Sequence, residues 1–466
     1  MGGKQGKGSI NKKYCQNSLT TDEPISDEME QKTETSNSVS TPKTAIVVGA
    51  GARGSGYSLY AKMYPDRLKI FGVCEPREFQ RTALMKAYGI PVENAFEDWK
   101  DAVKRKKFAD CVFICTPDRL HKDPAVAFAK KGYHVLLEKP MAVTEEDCKE
   151  IVSTCKENHT LLSVCHVLRY TPWVQKVKQI IDSGDIGDVV NINHTEPVGF
   201  WHFAHSYVRG NWRNKATSSF SLLAKCCHDV DLICFWMNKK CERVSSFGNL
   251  SHFHKKDKPE GAGDRCLSCP SNIEENCPYS AKKIYLDSVK RGCKSWPTSV
   301  ISDIVDIENV TKALQTGPYG KCVYDTDNDV VSHQVVNMQF EGGATCTLQM
   351  VAFTQKICAR EVKIHGTKGE ISVKDGRYPP IKVFDFLTKN TTEYEADCCI
   401  VPGLSGHGGA DYHTVEAFVD ALHNPDTDTI ATGPDNTLTS HLLCFAAERS
   451  RLENRVLNRN SLGEYE

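Results

Sequence analysis

A glycine-rich turn near residue 50 has the residue types and the spacing that phosphate binding requires. Gly49, Gly51 and Gly54 directly follow a strand-like segment over residues 44–48, and a helix-compatible segment follows them. Gly49 permits a tight turn, Gly51 lets the backbone approach a pyrophosphate, and Gly54 allows the helix to pack closely on the strand. The amino end of that helix, where Arg53 lies, then faces the phosphates. We therefore predict a dinucleotide-binding turn formed by these four residues; the alternative is a glycine-rich turn that binds nothing.

An acidic residue ends the next strand-like segment, at the distance where dinucleotide sites hold the adenosine ribose. Glu75 lies 26 residues after Gly49, and its carboxylate can accept hydrogen bonds from the ribose hydroxyls. This favours NAD as the cofactor. Arg77, two residues further on, can pair with a ribose phosphate, so NADP remains an alternative.

These residues need a sheet that brings them to one edge, and the surrounding sequence predicts such a sheet. From residue 43 onward, strand-like segments that are apolar on both faces alternate with helix-like segments, which is typical of a parallel sheet wrapped by helices. The strands are predicted over residues 44–48, 68–74, 111–115, 135–137 and 161–165. The helices are predicted over residues 79–88, 124–131, 144–156 and 172–183. We expect an α/β, doubly wound Rossmann domain over residues 43–167.

The rest of the chain has a different periodicity, with apolar residues at every second position of several segments. These segments cover residues 189–194, 331–340, 344–353, 361–365 and 371–373. They predict a C-terminal α+β domain over residues 168–455 with a large, mostly antiparallel sheet, followed by a tail over residues 456–466. Residues 1–42 are nearly free of large apolar side chains, so we expect them to form a disordered N-terminal tail.

Two further motifs stand at the carboxyl ends of predicted strands, the edge at which open α/β sheets bind ligands. The first is Cys115-Thr116-Pro117 with His121 close behind it, and the second is Glu138-Lys139-Pro140. Together with the glycine turn, these motifs resemble the Gfo/Idh/MocA oxidoreductase family, which includes glucose-fructose oxidoreductase and inositol dehydrogenase. The resemblance covers roughly residues 44–450, and Glu-Lys-Pro is its most specific element. It implies cofactor contacts from four residues in addition to Lys139, namely Thr116, Pro117, His121 and Glu138.

The resemblance implies that Lys139 lies beside the nicotinamide and the substrate hydroxyl, where it acts as acid or base. A lysine side chain with a pKa near 10.4 is a poor base at neutral pH, but burial and nearby positive charge lower that pKa into a useful range. The alternative is a surface lysine that pairs with Glu138.

A segment over residues 222–231 resembles the family helix that carries an Asp, a His four residues later and a second Asp. His228 and Asp231 match this pattern, whereas Ala224 occupies the first acidic position. By resemblance, His228 is a proton relay or a substrate hydrogen-bond partner and Asp231 contacts the substrate. The alternative for His228 is a core histidine. Lys225, next to Ala224, is predicted to contact the substrate or to lower the pKa of a neighbouring group.

Other residues are expected around the same cleft. Arg169 and Tyr170 follow a strand at a place where related proteins line the junction between cofactor and substrate, so we expect Arg169 to contact the cofactor and Tyr170 the substrate. Trp212 belongs to an aromatic segment suited to stacking on a sugar ring, although packing between domains explains it equally well. Residues 407–409, His-Gly-Gly before Asp411, resemble another family element whose flexible backbone could close over the cleft.

A polar insertion at about residues 252–294 contains four cysteines in a short stretch: Cys266, Cys269, Cys277 and Cys293. Thiolates at this spacing suit a tetrahedral structural zinc ion, and a metal would explain how so polar a segment is ordered. Reduced thiols are an equal alternative and an iron–sulfur cluster is a third. His252 and His254 are alternative ligands.

The composition excludes several classes of protein. Lys and Arg number 58 against 59 Asp and Glu, so no strong field attracts nucleic acid. No apolar run approaches the roughly 20 residues that a transmembrane helix needs. Many of the 21 cysteines lie within apolar runs and no apolar signal region precedes the first domain, so we expect a cytoplasmic protein in a reducing compartment.

The sequence therefore predicts an NAD(P)-dependent oxidoreductase that moves a hydride between a nicotinamide and a secondary hydroxyl of a sugar, a cyclitol or a related polyol. One alternative is an NAD-dependent glycoside-cleaving enzyme that oxidises its substrate transiently, with no net redox change. Another is a cofactor-bound regulatory protein without activity. Zinc-dependent dehydrogenation is disfavoured, because the cysteines lie in an insertion. By resemblance, the second sheet forms the floor of the cleft on one face and a homo-oligomer contact on the other.

Overall fold

The computed structural model describes residues 41–374, 379–396, 404, 406–425 and 430–466. Of the predicted N-terminal tail, residues 1–40 lie outside the described residues. Residues 258–325 form a compact unit of their own, and the rest of the described chain forms a second unit. Among the described residues, no helix combines the length and the apolar character needed to cross a membrane.

The first sheet is entirely parallel and has six strands, because apolar segments buried on both faces alternate with helices. Its elements in chain order are β1 Lys43–Val48, α1 Ala52–Met63, β2 Leu68–Cys74, α2 Glu78–Tyr88, β3 Ala95–Phe96, α3 Trp99–Lys104, β4 Cys111–Ile114, α4 Lys122–Lys130, β5 His134–Leu137, α5 Glu145–Glu157 and β6 Leu162–Val164. The strand order is β3-β2-β1-β4-β5-β6. The predicted doubly wound Rossmann sheet is confirmed.

The second sheet has nine strands, and its only parallel pair among the described residues joins β7 to β10. The elements that follow β6 outside residues 258–325 are α6 Pro172–Asp182, β7 Val189–Pro197, α7 Phe200–Phe203, α8 Ser221–Met237, β8 Cys241–Asn249, β9 His333–Phe340, β10 Thr345–Val351, β11 Glu361–Gly366, β12 Gly369–Lys374, β13 Ile381–Asp385, β14 Thr391–Tyr394, α13 Ala410–His423, α14 Pro434–Glu453 and β15 Leu457–Asn458. The strand order is β14-β13-β12-β11-β7-β10-β9-β8-β15, so the expected mostly antiparallel sheet is confirmed.

Four of these strands, β8, β13, β14 and β15, were not expected from periodicity. β8 starts with charged residues, and its pairing with β9 shifts register between Cys241 and Arg243, so the period-two alternation is broken. β14 carries almost no buried side chain, because it is the edge strand of the sheet. β7 ends at Pro197, three residues after the predicted end at residue 194. The prediction stopped short because Glu196, an acidic residue, is buried where the alternation would call for an apolar one.

The chain returns to the first domain near its end, because α13 packs on the Rossmann sheet. Phe418 of α13 lies against Phe113 of β4 with ring centroids 6.1 Å apart, and Tyr412 lies 5.7 Å from Tyr60 of α1. These residues belong to one hydrophobic core with β1 and β2. The segment before α13 is therefore held at the same domain that carries the glycine turn.

The unit over residues 258–325 consists of short helices: α9 Ser271–Glu274, α10 Asp287–Lys290, α11 Thr298–Ile301 and α12 Ile307–Thr316. Asp306 caps α12 by accepting a hydrogen bond from the backbone N–H of Asn309. Val310 and Leu314 are the buried residues of that helix. The Arg265 guanidinium donates to the Leu314 carbonyl, which ties the start of the unit to its last helix.

Candidate active site

The glycine turn joins β1 to α1, and two of its three glycines leave no room for a side chain. Gly49 has a φ of 93°, and a Cβ added to it would lie 2.7 Å from the Cys115 carbonyl oxygen. A Cβ on Gly54 would lie 2.1 Å from the Gly49 carbonyl oxygen. At Gly51, which precedes the first residue of α1, an added Cβ would meet only the Arg77 side chain, at 3.6 Å. The backbone is thus closed beneath the turn and open above Gly51, as pyrophosphate binding requires.

The acidic residue after β2 is held by the glycine turn itself. The Ala50 N–H donates to Glu75 Oε2 over 2.8 Å, and Arg77 Nε donates to Glu75 Oε1 over 2.8 Å. Burial opposes ionisation of Glu75, but the hydrogen bonds from Arg77 and Ala50 outweigh it and the pKa of this carboxyl lies below its usual value. A closed turn, a helix amino end and an ionised carboxylate are the features that suit a dinucleotide. The Arg77 side chain is 56% exposed beside them.

Arg53, predicted to bind the cofactor, lies in the first turn of α1, and its guanidinium holds two buried carboxylates. Nε donates to Glu138 Oε1 over 2.6 Å and Nη1 donates to Asp411 Oδ2 over 2.7 Å, while Tyr57 also donates to Glu138 Oε1 over 2.6 Å. Burial would raise the pKa of Glu138, and the charge of Arg53 reverses the effect. Glu138 in turn accepts from the backbone N–H of Lys139 over 2.9 Å. Arg53 therefore stabilises the strand end that carries Lys139.

His121 bridges the two loops at the carboxyl edge of the sheet. Its Nε2 lies 2.8 Å from the Thr116 carbonyl oxygen and its Nδ1 lies 2.7 Å from the Pro140 carbonyl oxygen. Because the ring is buried between these carbonyls, it joins the loop after β4 to the loop after β5 rather than facing outward. Pro117 precedes a short helical turn in the first of these loops, and the Thr116 hydroxyl donates to the Leu120 carbonyl.

Lys139 reaches the first turn of α8. Its Nζ donates to the Ala224 carbonyl oxygen over 2.9 Å and lies 5.9 Å from the centre of the Trp212 ring. The indole N–H of Trp212 donates to Asp118 Oδ2 over 2.9 Å, which fixes the ring. The ammonium group is thus bonded to a backbone carbonyl at the position where the family pattern has a carboxylate.

His228 lies one helical turn after Ala224 and therefore on the same face of α8. It is buried, and its ring centre lies 5.5 Å from that of His166 and 6.2 Å from that of His407. Burial lowers the pKa of His228 well below its usual value, and the charge of Lys139 lowers it further. The imidazole is consequently neutral at pH 7, and its Nδ1 has no hydrogen-bond partner among the described residues.

Lys225, also on α8, belongs to a buried group of charges. Its Nζ donates to Cys358 Sγ over 2.8 Å and lies 3.1 Å from Glu196 Oε1. Arg360 approaches Glu196 at 3.3 Å and also pairs with Asp229 at 2.6 Å. Two cations and two carboxylates compensate one another here, so the Lys225 ammonium has its partners within the protein. Glu196 and Arg360 were not singled out from the sequence, because a strand and a loop far apart along the chain supply them.

Arg169 and Asp231, expected at the cofactor and at the substrate, bind each other. Arg169 Nε and Nη2 donate to the two carboxylate oxygens of Asp231 over 2.6 and 2.9 Å, and the side chains are 3% and 0% exposed. Both oxygens of Asp231 are therefore occupied within the protein. The neighbouring Tyr170 is half-buried, with its hydroxyl 3.0 Å from that of Thr432.

The element over residues 407–409 contributes a pair that the sequence did not predict. His407 Nδ1 lies 2.9 Å from Asp411 Oδ1, and the ring is next to that of His228. The four-residue spacing of His407 and Asp411 was visible in the sequence. Nothing in the sequence indicated that α13 brings this pair to the carboxyl edge of the first sheet.

Cys266, Cys269, Cys277 and Cys293 were the predicted ligands of a structural zinc ion. Across the described residues, which include all four, there is no group of three or more His, Cys, Asp and Glu side chains that could hold a metal ion. The structural zinc alternative therefore receives no support from the geometry.

Comparisons with known proteins agree with this architecture. Residues 43–166 match the model described as the oxidoreductase family with an NAD-binding Rossmann fold, and residues 178–445 match that family's C-terminal alpha/beta domain. The chain belongs to the Gfo/Idh/MocA oxidoreductase family, which confirms the resemblance found in the sequence.

The similar proteins differ in what their names say they do. A chain of Bacillus subtilis (strain 168), YteT, whose name classes it as an oxidoreductase, is 25% identical over 78% of this chain and 86% of its own length. The 2,7-anhydro-N-acetylneuraminate hydratase of Escherichia coli (strain K12) is 30% identical over 44% of this chain and 53% of its own length. A crystal structure of an oxidoreductase from Agrobacterium radiobacter, in complex with NAD+, L-tartaric acid and magnesium, has a TM-score of 0.65 at 16% identity. It covers 90% of this chain and 98% of its own.

Proposed function

We propose that this chain is an NAD(P)-dependent dehydrogenase or reductase that acts on a secondary hydroxyl of a sugar, a cyclitol or a related polyol. The observation that carries the proposal is the position of Lys139 Nζ. It stands at the carboxyl edge of the Rossmann sheet and donates a hydrogen bond to the carbonyl of Ala224, which precedes His228 by one helical turn. Bound nicotinamide would supply the group that accepts or donates the hydride.

Each residue of the proposed site has a role that its contacts support. Lys139 takes the hydroxyl proton during oxidation and returns it during reduction. Neutral His228 offers a ring nitrogen to a neighbouring hydroxyl, and the Trp212 ring packs on the sugar. Glu138 fixes the backbone of Lys139, so it acts as a positioning residue.

For the cofactor, we propose that Gly49, Gly51 and Gly54 receive the pyrophosphate and that Glu75 receives the adenosine ribose. NAD is the primary cofactor in this proposal, since Glu75 is ionised. Arg77 compensates the charge of Glu75 through two side-chain hydrogen bonds, which supports acceptance of NADP as well. By resemblance to the family, copies of the chain are proposed to associate through the second sheet.

A second candidate is a reaction with no net redox change, in which the substrate is oxidised transiently. The hydratase from Escherichia coli, which matches 44% of this chain, is the observation that favours it. Such an enzyme would return the hydride before product release.

The test is a screen for reduced nicotinamide by absorbance, with NAD and NADP, against glucose, myo-inositol and 2,7-anhydro-N-acetylneuraminate. We expect turnover with at least one compound, and we expect Lys139→Ala to lower kcat/KM about a thousandfold, because a positioned acid–base group contributes roughly 10²–10⁴-fold. The exposed Lys104 on α3 is the matched control, and Lys104→Ala should behave as wild type.

The outcomes separate the alternatives. Conversion of a compound without accumulation of reduced nicotinamide would favour the second candidate. Binding of cofactor without conversion of any compound would contradict both candidates and favour a regulatory protein. Thermal midpoints of the two variants would show whether a loss of activity reflects loss of folding.

A further inference from the structure

The pair formed by His407 and Asp411 has the geometry of a carboxylate that orients an imidazole. Asp411 Oδ1 lies 2.9 Å from His407 Nδ1, and Asp411 Oδ2 accepts from Arg53 Nη1 over 2.7 Å. Burial opposes ionisation of Asp411, but His407 and Arg53 hold the pKa of this carboxyl well below its usual value. A fixed, ionised carboxylate makes Nδ1 the donor, so Nε2 is the ring nitrogen left to exchange a proton with a ligand. This division of roles occurs in enzyme sites where a histidine transfers protons.

The position of His407 connects it to the proposed site. Its side chain is 42% exposed, and its ring centre lies 6.2 Å from that of His228. Lys139 Nζ donates to the carbonyl of Ala224, which precedes His228 by one helical turn on α8. Two groups able to move protons, Lys139 and His407, therefore approach the neutral His228 from different elements.

The backbone at His407 is also unusual. Its φ is 50°, in the left-handed region that non-glycine residues rarely adopt, and Gly408 and Gly409 continue there with φ of 71° and 87°. Such a conformation persists where the surrounding contacts over-determine it. At His407 those contacts include Asp411, which α13 and Arg53 hold in place.

A second proton-transfer group has a specific use once a secondary hydroxyl has been oxidised. The hydride leaves with the cofactor and the hydroxyl proton goes to Lys139, which leaves a ketone. The hydrogen on the adjacent carbon is then acidic. When a base removes that proton, the electron pair of the C–H bond forms a carbon–carbon double bond, and the carbonyl oxygen takes back the proton that Lys139 holds. The product is an enol, and no further oxidant or reductant is needed.

We propose that His407, oriented by Asp411, is a second proton-transfer residue of this site and removes the proton from the carbon adjacent to the oxidised one. The inference rests on the proposed function, because only the ketone makes that carbon acidic. It names the substrate class more closely: a polyol or sugar that bears a hydrogen on the carbon next to the oxidised hydroxyl. It also gives the chain the base that a transient-oxidation reaction requires.

The test is deuterium incorporation in D₂O, with the panel compound that reduces bound NAD in a single turnover. Exchange at the adjacent carbon is measured by mass spectrometry and NMR in the recovered starting compound, and reduction of bound NAD is followed by absorbance in the same samples. We expect wild type to incorporate deuterium there. We expect His407→Gln to incorporate it about a hundredfold more slowly while still reducing NAD, since acid–base groups contribute roughly 10²–10⁴-fold.

The chain offers a matched control on α13, the helix that carries Asp411. His413 Nδ1 lies 3.0 Å from Glu416 Oε2, a histidine–carboxylate pair of the same kind. His413→Gln should exchange deuterium and reduce NAD as wild type does, and thermal midpoints should show that both variants are folded.

Three results would overturn the inference, and they are distinguishable. Reduction of NAD by wild type without exchange at the adjacent carbon would exclude a second proton transfer. Equal exchange by wild type and His407→Gln would assign the transfer to another group. Absence of NAD reduction with every compound would overturn the proposed function, and this inference with it.

Discussion

Gly54 and Gly56 lie two residues apart at the start of α1, but they differ sharply in the space available for a side chain. A Cβ on Gly54 would lie 2.1 Å from the Gly49 carbonyl oxygen and 2.9 Å from a methyl group of Val47. A Cβ added to Gly56 would have no other part of the protein within 4 Å, apart from the adjacent residues and the backbone of its own helix. The need for glycine therefore comes from packing of helix on strand at one position and is absent at the other.

We expect Gly54→Ala to weaken NADH binding by roughly 10- to 100-fold, because overpacking costs about 1–3 kcal/mol and must displace the turn. Gly56→Ala should leave the affinity unchanged and raise the free energy of unfolding by about 0.5–1 kcal/mol, as alanine replaces glycine within a helix. Fluorescence titration with NADH and denaturant unfolding measure the two effects. Wild-type affinity in Gly54→Ala would show that the turn does not hold the dinucleotide.

At the scale of elements, α8 contributes both to the proposed site and to a buried ion pair. The Ala224 carbonyl accepts a hydrogen bond from Lys139, while Asp231, further along the helix, pairs with Arg169 in the interior. Burial raises the pKa of Asp231 more than Arg169 lowers it, which shows that desolvation of this pair is costly. The pair joins α8 to the segment over residues 167–170, so it positions the helix rather than meeting a ligand.

We expect Asp231→Ala to lower the free energy of unfolding by about 3–5 kcal/mol, because the Arg169 guanidinium is then buried without a carboxylate. Asp182→Ala, which removes the exposed partner of Lys178 on α6, should cost about 0.5 kcal/mol or less. Denaturant unfolding at neutral pH compares the two variants. A small effect of Asp231→Ala would mean that the Arg169 side chain reaches water or another partner.

For the molecule as a whole, buried histidines make the free energy of unfolding depend on pH. Burial lowers the pKa of both His166 and His441 to about 3, and their ring centres lie 5.2 Å apart. In the unfolded chain each titrates near 6.5, so below that pH the unfolded state binds protons that the folded state does not. The contribution of these two histidines to the free energy of unfolding is therefore complete above about pH 6.5 and is lost as the pH falls towards 3.

We expect the free energy of unfolding of wild type to fall by about 1.4 kcal/mol per pH unit for each such histidine below pH 6.5. Neither ring nitrogen of His166 has a hydrogen-bond partner among the described residues, so His166→Phe should remove its share of the slope with little cost at pH 7. Unfolding measured from pH 7 to pH 5 checks this, because carboxylates such as Glu138 and Asp411, whose usual values are 4.5 and 3.8, contribute mainly below that window. Parallel slopes for wild type and variant would contradict the assignment.

Much of the architecture was accessible from the sequence because local rules decide it. The glycine turn requires a left-handed φ at Gly49 and close packing at Gly54, and buried parallel strands are continuously apolar, so both left clear patterns. Glu-Lys-Pro at the end of β5 identified the family. β8 and β14 escaped prediction because a bulge and an exposed edge remove the alternation on which strand prediction depends.

By itself, then, the sequence determined the two sheets, the dinucleotide turn and Lys139 at the sheet edge, since each depends on residues close together in the chain. Only the tertiary structure decided which charged side chains pair with each other. Arg53 pairs with Asp411, which lies 358 positions later in the chain, and Arg169 pairs with Asp231. Lys225 contacts Glu196 and Cys358. The physical reason is that burying a charge is costly unless a partner is present, and the path of the chain determines which partner that is.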